Sequence, residues 1–574
     1  MMSQVIASES RESLRTVNSA QADAQPSPPP SPAPKPEPAA ASKPNATSSE
    51  GTILTGSKLA VVFTAMLLTG LLIALDQTIL STALPQIATS FNSFTLQGWI
   101  SSSFILAQTV FLLFYGQLLR VFPAKYTMLF ATALFELGSI VCATAQNVGA
   151  LVAGRTVSGV GAAGILVSMI QIIAQTTRLQ DRPRLFAIVG AIFGLAAIIG
   201  PLIGGALTDR AGWRWCFILN LPFGALSLFF VSILVKPSPP LGSDPSKRSY
   251  RDLLEQTRRL DFVGATLVAA TVTILVLALQ WGGNTKPWSS PAVITCLALT
   301  PVLATLTIIW EIKLGERAMV PTKSVFKSRS IYAIILFAFL TRFAQLLYSY
   351  YIPIFYQAAR HRSPIQSGLN LLAFMLGSVG GMIGSGQLVS QFGFYHPFLL
   401  ATGCFLVVGS GLLYTVSPST SSNALIGYQI LAGIGIGLGT QNPLLAMQAE
   451  FTALNEMKLI AQASSMASFG QFLGGTLGLG AAEPIFASML AKNLKRYAPD
   501  APANVVTQDP TTIYTALSPE QIPEVVKAYT EALRVVFLLG VPIGILALAA
   551  ALCIKGRKIQ KVQKPPVKDA EKGA

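Results

Sequence analysis

Asp76, Glu136, Arg155 and Arg342 lie inside long apolar runs. A charged group in lipid costs roughly 2.5–3.5 kcal/mol on insertion scales, so such residues face protein or a wet cavity and mark function by default. Asp76 sits in Leu75-Asp76-Gln77-Thr78-Ile79, ahead of Ala83-Leu84-Pro85. A desolvated acid there could exchange protons near neutral pH. A structural aspartate that caps hydrogen bonds near a helix end is the alternative. Arg155, with Ser158 and Gly159 on its face, cannot lose its charge. It needs an anion, a carbonyl or a partner whose protonation changes. Beside a carboxylate it makes a two-state switch or a plain structural ion pair. Glu136 is a rival titratable group, or the fixed partner of a polar neighbour. Around Arg342, helical spacing puts Arg342, Gln345, Ser349, Pro353 and Tyr356 on one face, with Tyr348, Tyr350 and Tyr351 beside it. That stripe suits a cavity wall for a large, partly aromatic molecule. An aromatic belt at a membrane interface is the alternative. Gln429, and Gln441 and Asn442 before Pro443, are further cavity candidates.

Other chemistries lack their residues. The two histidines, His361 and His396, cannot form an iron-holding cluster. The five cysteines (Cys142, Cys216, Cys296, Cys404 and Cys553) form no C-x-x-C pair, so no metal site or disulfide framework is indicated. Gly51–Lys58 reads GTILTGSK, which fails the phosphate-loop pattern. No nucleophile–base constellation appears. An enzyme is therefore not expected, and neither is a cofactor.

The elements that hold these residues follow from composition. Of 574 residues, 52% are hydrophobic and 11% charged, against roughly 25% charged in a soluble protein. The net charge of +16 comes in short blocks between apolar runs rather than on one face, which argues against nucleic acid. An all-α membrane protein is expected, with a lipid bilayer as its partner. Fourteen segments have spanning length, at about 59–84, 97–119, 125–145, 149–173, 183–208, 214–235, 261–280, 291–311, 331–357, 367–389, 394–415, 424–447, 459–489 and 531–554. An even number puts both termini on one side. Placing them in the cytoplasm leaves 29 of the 41 Lys and Arg on that side, as the positive-inside rule requires. Residues 1–57 carry eight prolines between Pro26 and Pro38 and read as a disordered cytoplasmic tail. The sequon at Asn45 would then stay unmodified. Residues 555–574 form a basic cytoplasmic tail. A long outer loop is expected at 490–530, with a helical pattern near Ile522 to Leu533.

The chain repeats itself. Gly116-Gln117-Leu118 recurs as Gly386-Gln387-Leu388. Ala150-Leu151, Arg155, Gly159 and Gly161 align with Ala424-Leu425, Gln429, Gly433 and Gly435. The offsets are 270 and 274 residues. Span two thus maps to ten and four to twelve, with neutral Gln429 where the first half has Arg155. Two parallel six-helix halves, 58–235 and 331–554, with two inserted spans in 236–330, are the arrangement of a rocking transporter. Gly190 and Gly194, followed by Gly200, Pro201, Gly204 and Gly205, let helices touch backbone to backbone and bend, as a hinge or seal would.

Together these residues resemble the major facilitator superfamily, specifically its fourteen-span drug:proton antiporters, over about 59–555. The Asp76 run resembles that branch's first-helix motif. Gly154-Arg155 with Gly159 and Gly161 resembles its fourth-helix motif, whose arginine is implicated in proton transfer. Gly200-Pro201-Leu202-Ile203-Gly204-Gly205 resembles the antiporter motif linked to export. Trp213-Arg214-Trp215-Cys216-Phe217 with Asn220, Pro222 and Gly224 resembles the start of its sixth helix. The loop after the second helix departs from the family's G-x-x-x-D-R-x-G-R-R/K. It has Gly116 and Lys125 but Arg120, Val121 and Pro123 where Asp, Arg and Gly belong. Its Phe-Pro-Ala-Lys form looks like the fungal exporters of toxins and secondary metabolites. The resemblance implies a monomeric proton-coupled efflux transporter of an amphipathic small molecule, in the plasma or vacuolar membrane. A proton-coupled importer of a nutrient or metal chelate, and a transport-dead receptor, stand as alternatives.

Overall fold

The computed structural model describes residues 53–91, 97–240, 249–282, 286–502, 506 and 513–559. Residues 1–52 of the tail, with its sequon, and most of the basic carboxy-terminal segment lie outside the described residues. Lipid offers no hydrogen-bond partner, so backbone groups must be satisfied within the chain and spans become helices. The described residues contain fourteen helices long and apolar enough to cross a membrane, and no strand. They are α1 (Gly56–Ser90), α2 (Gln97–Leu118), α3 (Ala124–Ala143), α4 (Val148–Thr176), α5 (Arg182–Arg210), α6 (Trp215–Leu234) and α7 (Phe262–Trp281). There follow α8 (Pro291–Leu314), α9 (Arg329–Arg360), α10 (Leu372–Phe392), α11 (His396–Tyr414), α12 (Ser422–Ala453), α13 (Ile460–Tyr497) and α14 (Ile522–Cys553).

The repeat read from sequence reappears as packing. In the first six helices α3 packs on α4, α1 on α5, α2 on α4, α1 on α6 and α3 on α6. In the last six, α11 packs on α12, α9 on α13, α10 on α12, α9 on α14 and α11 on α14, helix for helix the same pattern. The halves meet where α5 lies on α10 and α2 on α13. The inserted α7 and α8 pack on each other, and α7 reaches α2 and α13. Only 6% of the apolar window of α8 is buried, which puts it at the periphery.

The loop expected over 490–530 is shorter in the structure. α13 runs on to Tyr497, and Ile522–Leu538 is the first part of α14 itself, broken at Leu539. Its apolar stripe packs on α13 and α9, which is why a helical pattern expected within a loop belongs to the bundle.

The close approaches between halves cluster at one end, where α1 begins and α2 ends, called here the tail side. Gly116 of α2 sits against Ser465 and Gln462 of α13. Gly386 of α10 sits against Pro183 and Ala187 of α5. Arg182 Nη1 donates to Gln448 Oε1 at 2.9 Å, and its Nη2 donates to Ala174 O at 2.6 Å. The bundle is closed on this side.

The tail side is also cross-braced. Gln117 Nε2 donates to Arg317 O at 2.5 Å while its Oε1 accepts from Asp261 N at 3.0 Å. Arg120, which stands where the family motif has an acid, donates from Nη1 to Glu316 O at 3.2 Å. This loop is therefore tied to the inserted segment through carbonyls rather than through a carboxylate relay.

Candidate functional site

Asp76 is 20 residues past Gly56 in α1, about 30 Å along the helix at 1.5 Å per residue. Arg155 is in the second turn of α4. Small residues let α4 close on its neighbours: Gly159 meets the Phe104 carbonyl of α2, and Gly161 the backbone of Ala131 and Phe135 in α3. This packing brings Arg155 Nη1 to 2.6 Å from Asp76 Oδ2, with both side chains 2% exposed. Arg155 Nε donates to Ile100 O at 3.3 Å, and its guanidinium lies over the Phe104 ring at 4.2 Å. The second carboxylate oxygen, Asp76 Oδ1, accepts from Asn220 Nδ2 at 2.9 Å. Asn220 Nδ2 also reaches Ser139 Oγ at 3.2 Å.

Glu136 lies one helical turn before Ser139 on α3 and is buried. Its carboxyl group rests on Gly224, one turn beyond Asn220 on α6. Neither Glu136 oxygen has a hydrogen-bond partner among the described residues. Asp76 and Glu136 therefore lean on consecutive turns of one helix, one fully bonded and one bare.

The site touches the α5 hinge through α1. Thr78, two residues after Asp76, packs against Gly200 and donates from Oγ1 to Ala196 O at 2.9 Å. Pro201 lies inside α5 and removes the backbone donor of the adjacent turn. Gly190 and Gly194 face across the seam, to Met382 and Gln441 and to Val379. The six residues expected to act as one hinge thus divide. Gly190 and Gly194 join the halves and Gly200 joins α5 to α1, while Gly205 has open space beside it. Gly204 is buried.

The cargo candidates divide too. Arg342, Gln345 and Ser349 are half-buried, and Arg342 Nη1 donates to Gln345 Oε1 at 2.8 Å. Tyr348 is fully buried, bonded to Ser410 and packed on Gly540. Tyr356 is buried and accepts from Gln429 Nε2 at 2.8 Å. These two tyrosines brace α9 against α11, α12 and α14 rather than line an open wall. Helical spacing gave them the right face for either setting. Asn442 is buried and donates to Leu438 O at 2.6 Å, whereas Gln441 stays half-buried near Gly190. A groove of about 710 Å³ between α10 and α12 is lined by residues such as Leu369, Leu376, Ile426 and Ile430, and contains none of these candidates. No group of His, Cys, Asp or Glu among the described residues could hold a metal ion.

The sequence profile of the Major Facilitator Superfamily matches residues 66–479, which include the acid–arginine site, the seam helices α2, α5 and α10, and Arg342. The chain belongs to the major facilitator superfamily. It is a multi-pass membrane transporter and not an enzyme. Among characterised superfamily members, the aspyridones efflux protein of Neocamarosporium betae is 36% identical over 527 residues, covering 91% of this chain and 92% of that protein. An MFS-type efflux pump of Arthroderma benhamiae is 34% identical, covering 90% and 97%. The efflux pump roqT of Penicillium rubens is 34% identical, covering 85% and 89%. A bacterial homologue of the human lysosomal transporter Spinster, solved inward-facing and unoccupied, superimposes with a TM-score of 0.51 at 13% identity, covering 87% of this chain and 98% of that one. That likeness concerns the superfamily fold.

Asn220 and Ser139 were not singled out from sequence as site residues. Asn220 was visible as a polar residue opening an apolar span, within the Asn220-Leu221-Pro222 run.

Proposed function

We propose that this protein is a proton-coupled efflux transporter, exchanging protons for an amphipathic small molecule of the toxin, drug or secondary-metabolite kind by alternating access. The observation that carries the reading is the bare Glu136 carboxyl one α6 turn from the bonded Asp76–Arg155 pair. An ionised carboxylate buried without partners costs several kcal/mol. Glu136 is therefore held in this state with its proton, and has to meet water in another state to release it.

Both termini are cytoplasmic in this reading, by the excess of Lys and Arg on that side. The closed tail side is then the cytoplasmic side. A proton reaching Asp76 weakens its bond to Arg155, which keeps the Ile100 carbonyl and the Phe104 ring. Loosening α1 from α4 releases the turn that holds Thr78 against α5, and α5 carries the seam glycines. Protonation and cargo thereby bias the same two-state equilibrium, each by binding one state better. The efflux names of the relatives support the outward direction, and the plasma membrane is the expected location.

The test is dye accumulation in inside-out plasma-membrane vesicles carrying the protein. An acid lumen should drive an amphipathic aromatic dye inward, and a protonophore should abolish the uptake. Uptake indifferent to the pH gradient, or reversed in direction, would contradict the reading.

A further inference from the structure

Arg342 is a cation inside α9 with no counter-charge among the described residues. Among the described residues it forms no ion pair, while Arg155, a buried cation of the first half, is matched by Asp76. Its one hydrogen bond goes to Gln345 on the same helix, from Nη1 at 2.8 Å. Nε and Nη2 donate to no group among the described residues, and the side chain is half-buried. The guanidinium leans over the Phe472 ring of α13 at 5.6 Å, beside the close approach of Gly475 to its stem. Exposed Tyr350 and half-buried Ser349 continue along α9.

A guanidinium cannot shed its charge, and an unmatched one at this depth is expensive. Its free fork fits a carboxylate bidentately. The flat aromatic face next to it fits a conjugated body attached to that charge. We infer that the cargo is an organic anion, an aromatic or polyenic molecule carrying a carboxylate or similarly acidic group, and that Arg342 is its charge-reading residue. This rests on the transport reading above and adds the chemical class of the cargo.

The experiment uses the full-length protein in proteoliposomes and two probes matched in body, pyrenebutyrate and its neutral amide. The wild type should carry the carboxylate at least about tenfold better than the amide, the scale of one charge-assisted contact. Arg342→Gln should collapse that ratio towards one, and Arg342→Lys should restore part of it. A ratio unchanged in Arg342→Gln would overturn the inference. So would a wild type that prefers the amide, a result independent of how any variant folds. Failure to move either probe under any pH gradient would instead count against the transport reading.

Discussion

Arg155 and Asp76 stand 79 residues apart in sequence, and Arg155 Nη1 lies 2.6 Å from Asp76 Oδ2 in the interior of the first half. Each charge is buried at the other's expense. Removing one partner strands the other, which costs on the order of 3–5 kcal/mol for a buried pair, whereas replacing both by apolar residues can be close to neutral. Asp76→Leu and Arg155→Met should each sharply lower the thermal unfolding midpoint in detergent. The double variant should recover most of the loss while remaining inactive in transport. A double variant as unstable as the sum of the singles would mean that the two charges do not act as a pair.

Glu136 predicts the opposite balance. Its carboxyl group accepts no hydrogen bond in this conformation, so Glu136→Gln should change stability by less than about 1 kcal/mol. Proton-driven transport should nevertheless fall by about 10²-fold or more, the lower range for loss of a positioned proton carrier. Gly224→Ala, whose added methyl would overlap the Glu136 carboxyl, should be the more destabilising change of the two. Unfolding midpoints and flux measured side by side decide this.

The tail-side seam makes a conformational prediction. Gly386 has no room for a side chain against Ala187 and the Pro183 carbonyl. Gly386→Leu should raise the energy of this closed arrangement by about 1–3 kcal/mol, enough to shift the two-state population by roughly 5- to 150-fold. Spin labels at exposed Arg184 and Gln391, on the two seam helices, should then report a longer distance. An unchanged distance distribution would contradict the seam as the moving contact.

A latch outside the two halves' interface is also testable. Glu450 is fully buried at the end of α12 and accepts from Ser328 Oγ at 2.6 Å and from Arg557 Nε at 2.5 Å, the latter in the segment after α14. Tyr395 Oη donates to Lys555 O at 2.9 Å in the same segment, and burial pushes its hydroxyl up to about 12. Arg557→Ala should cost about 1–3 kcal/mol by leaving Glu450 with a single donor. Its signature is a lower unfolding midpoint with transport per folded molecule preserved.

The spans were legible because lipid imposes an apolar run of known length, and the repeat because glycines must recur wherever helices touch. Asp76 and Arg155 were legible as charges where charges are costly. Their contact was not, since it depends on how α1 and α4 pack. Tyr348 and Tyr356 show the limit most clearly. A period of 3.6 names the face a side chain occupies but not whether that face meets a cavity or another helix, and here Ser410 and Gln429 fill the space. The helical pattern near Ile522 was expected within a loop, yet one face of that helix is buried in the bundle.

The most direct test is proton movement driven by cargo. In proteoliposomes holding a pH dye, addition of an exported amphipathic molecule on one side should move protons the opposite way for the wild type. Glu136→Gln and Asp76→Asn, folded as judged by their elution and unfolding, should move cargo without that proton counterflow or not at all. Undiminished proton counterflow in both variants would contradict the coupling scheme.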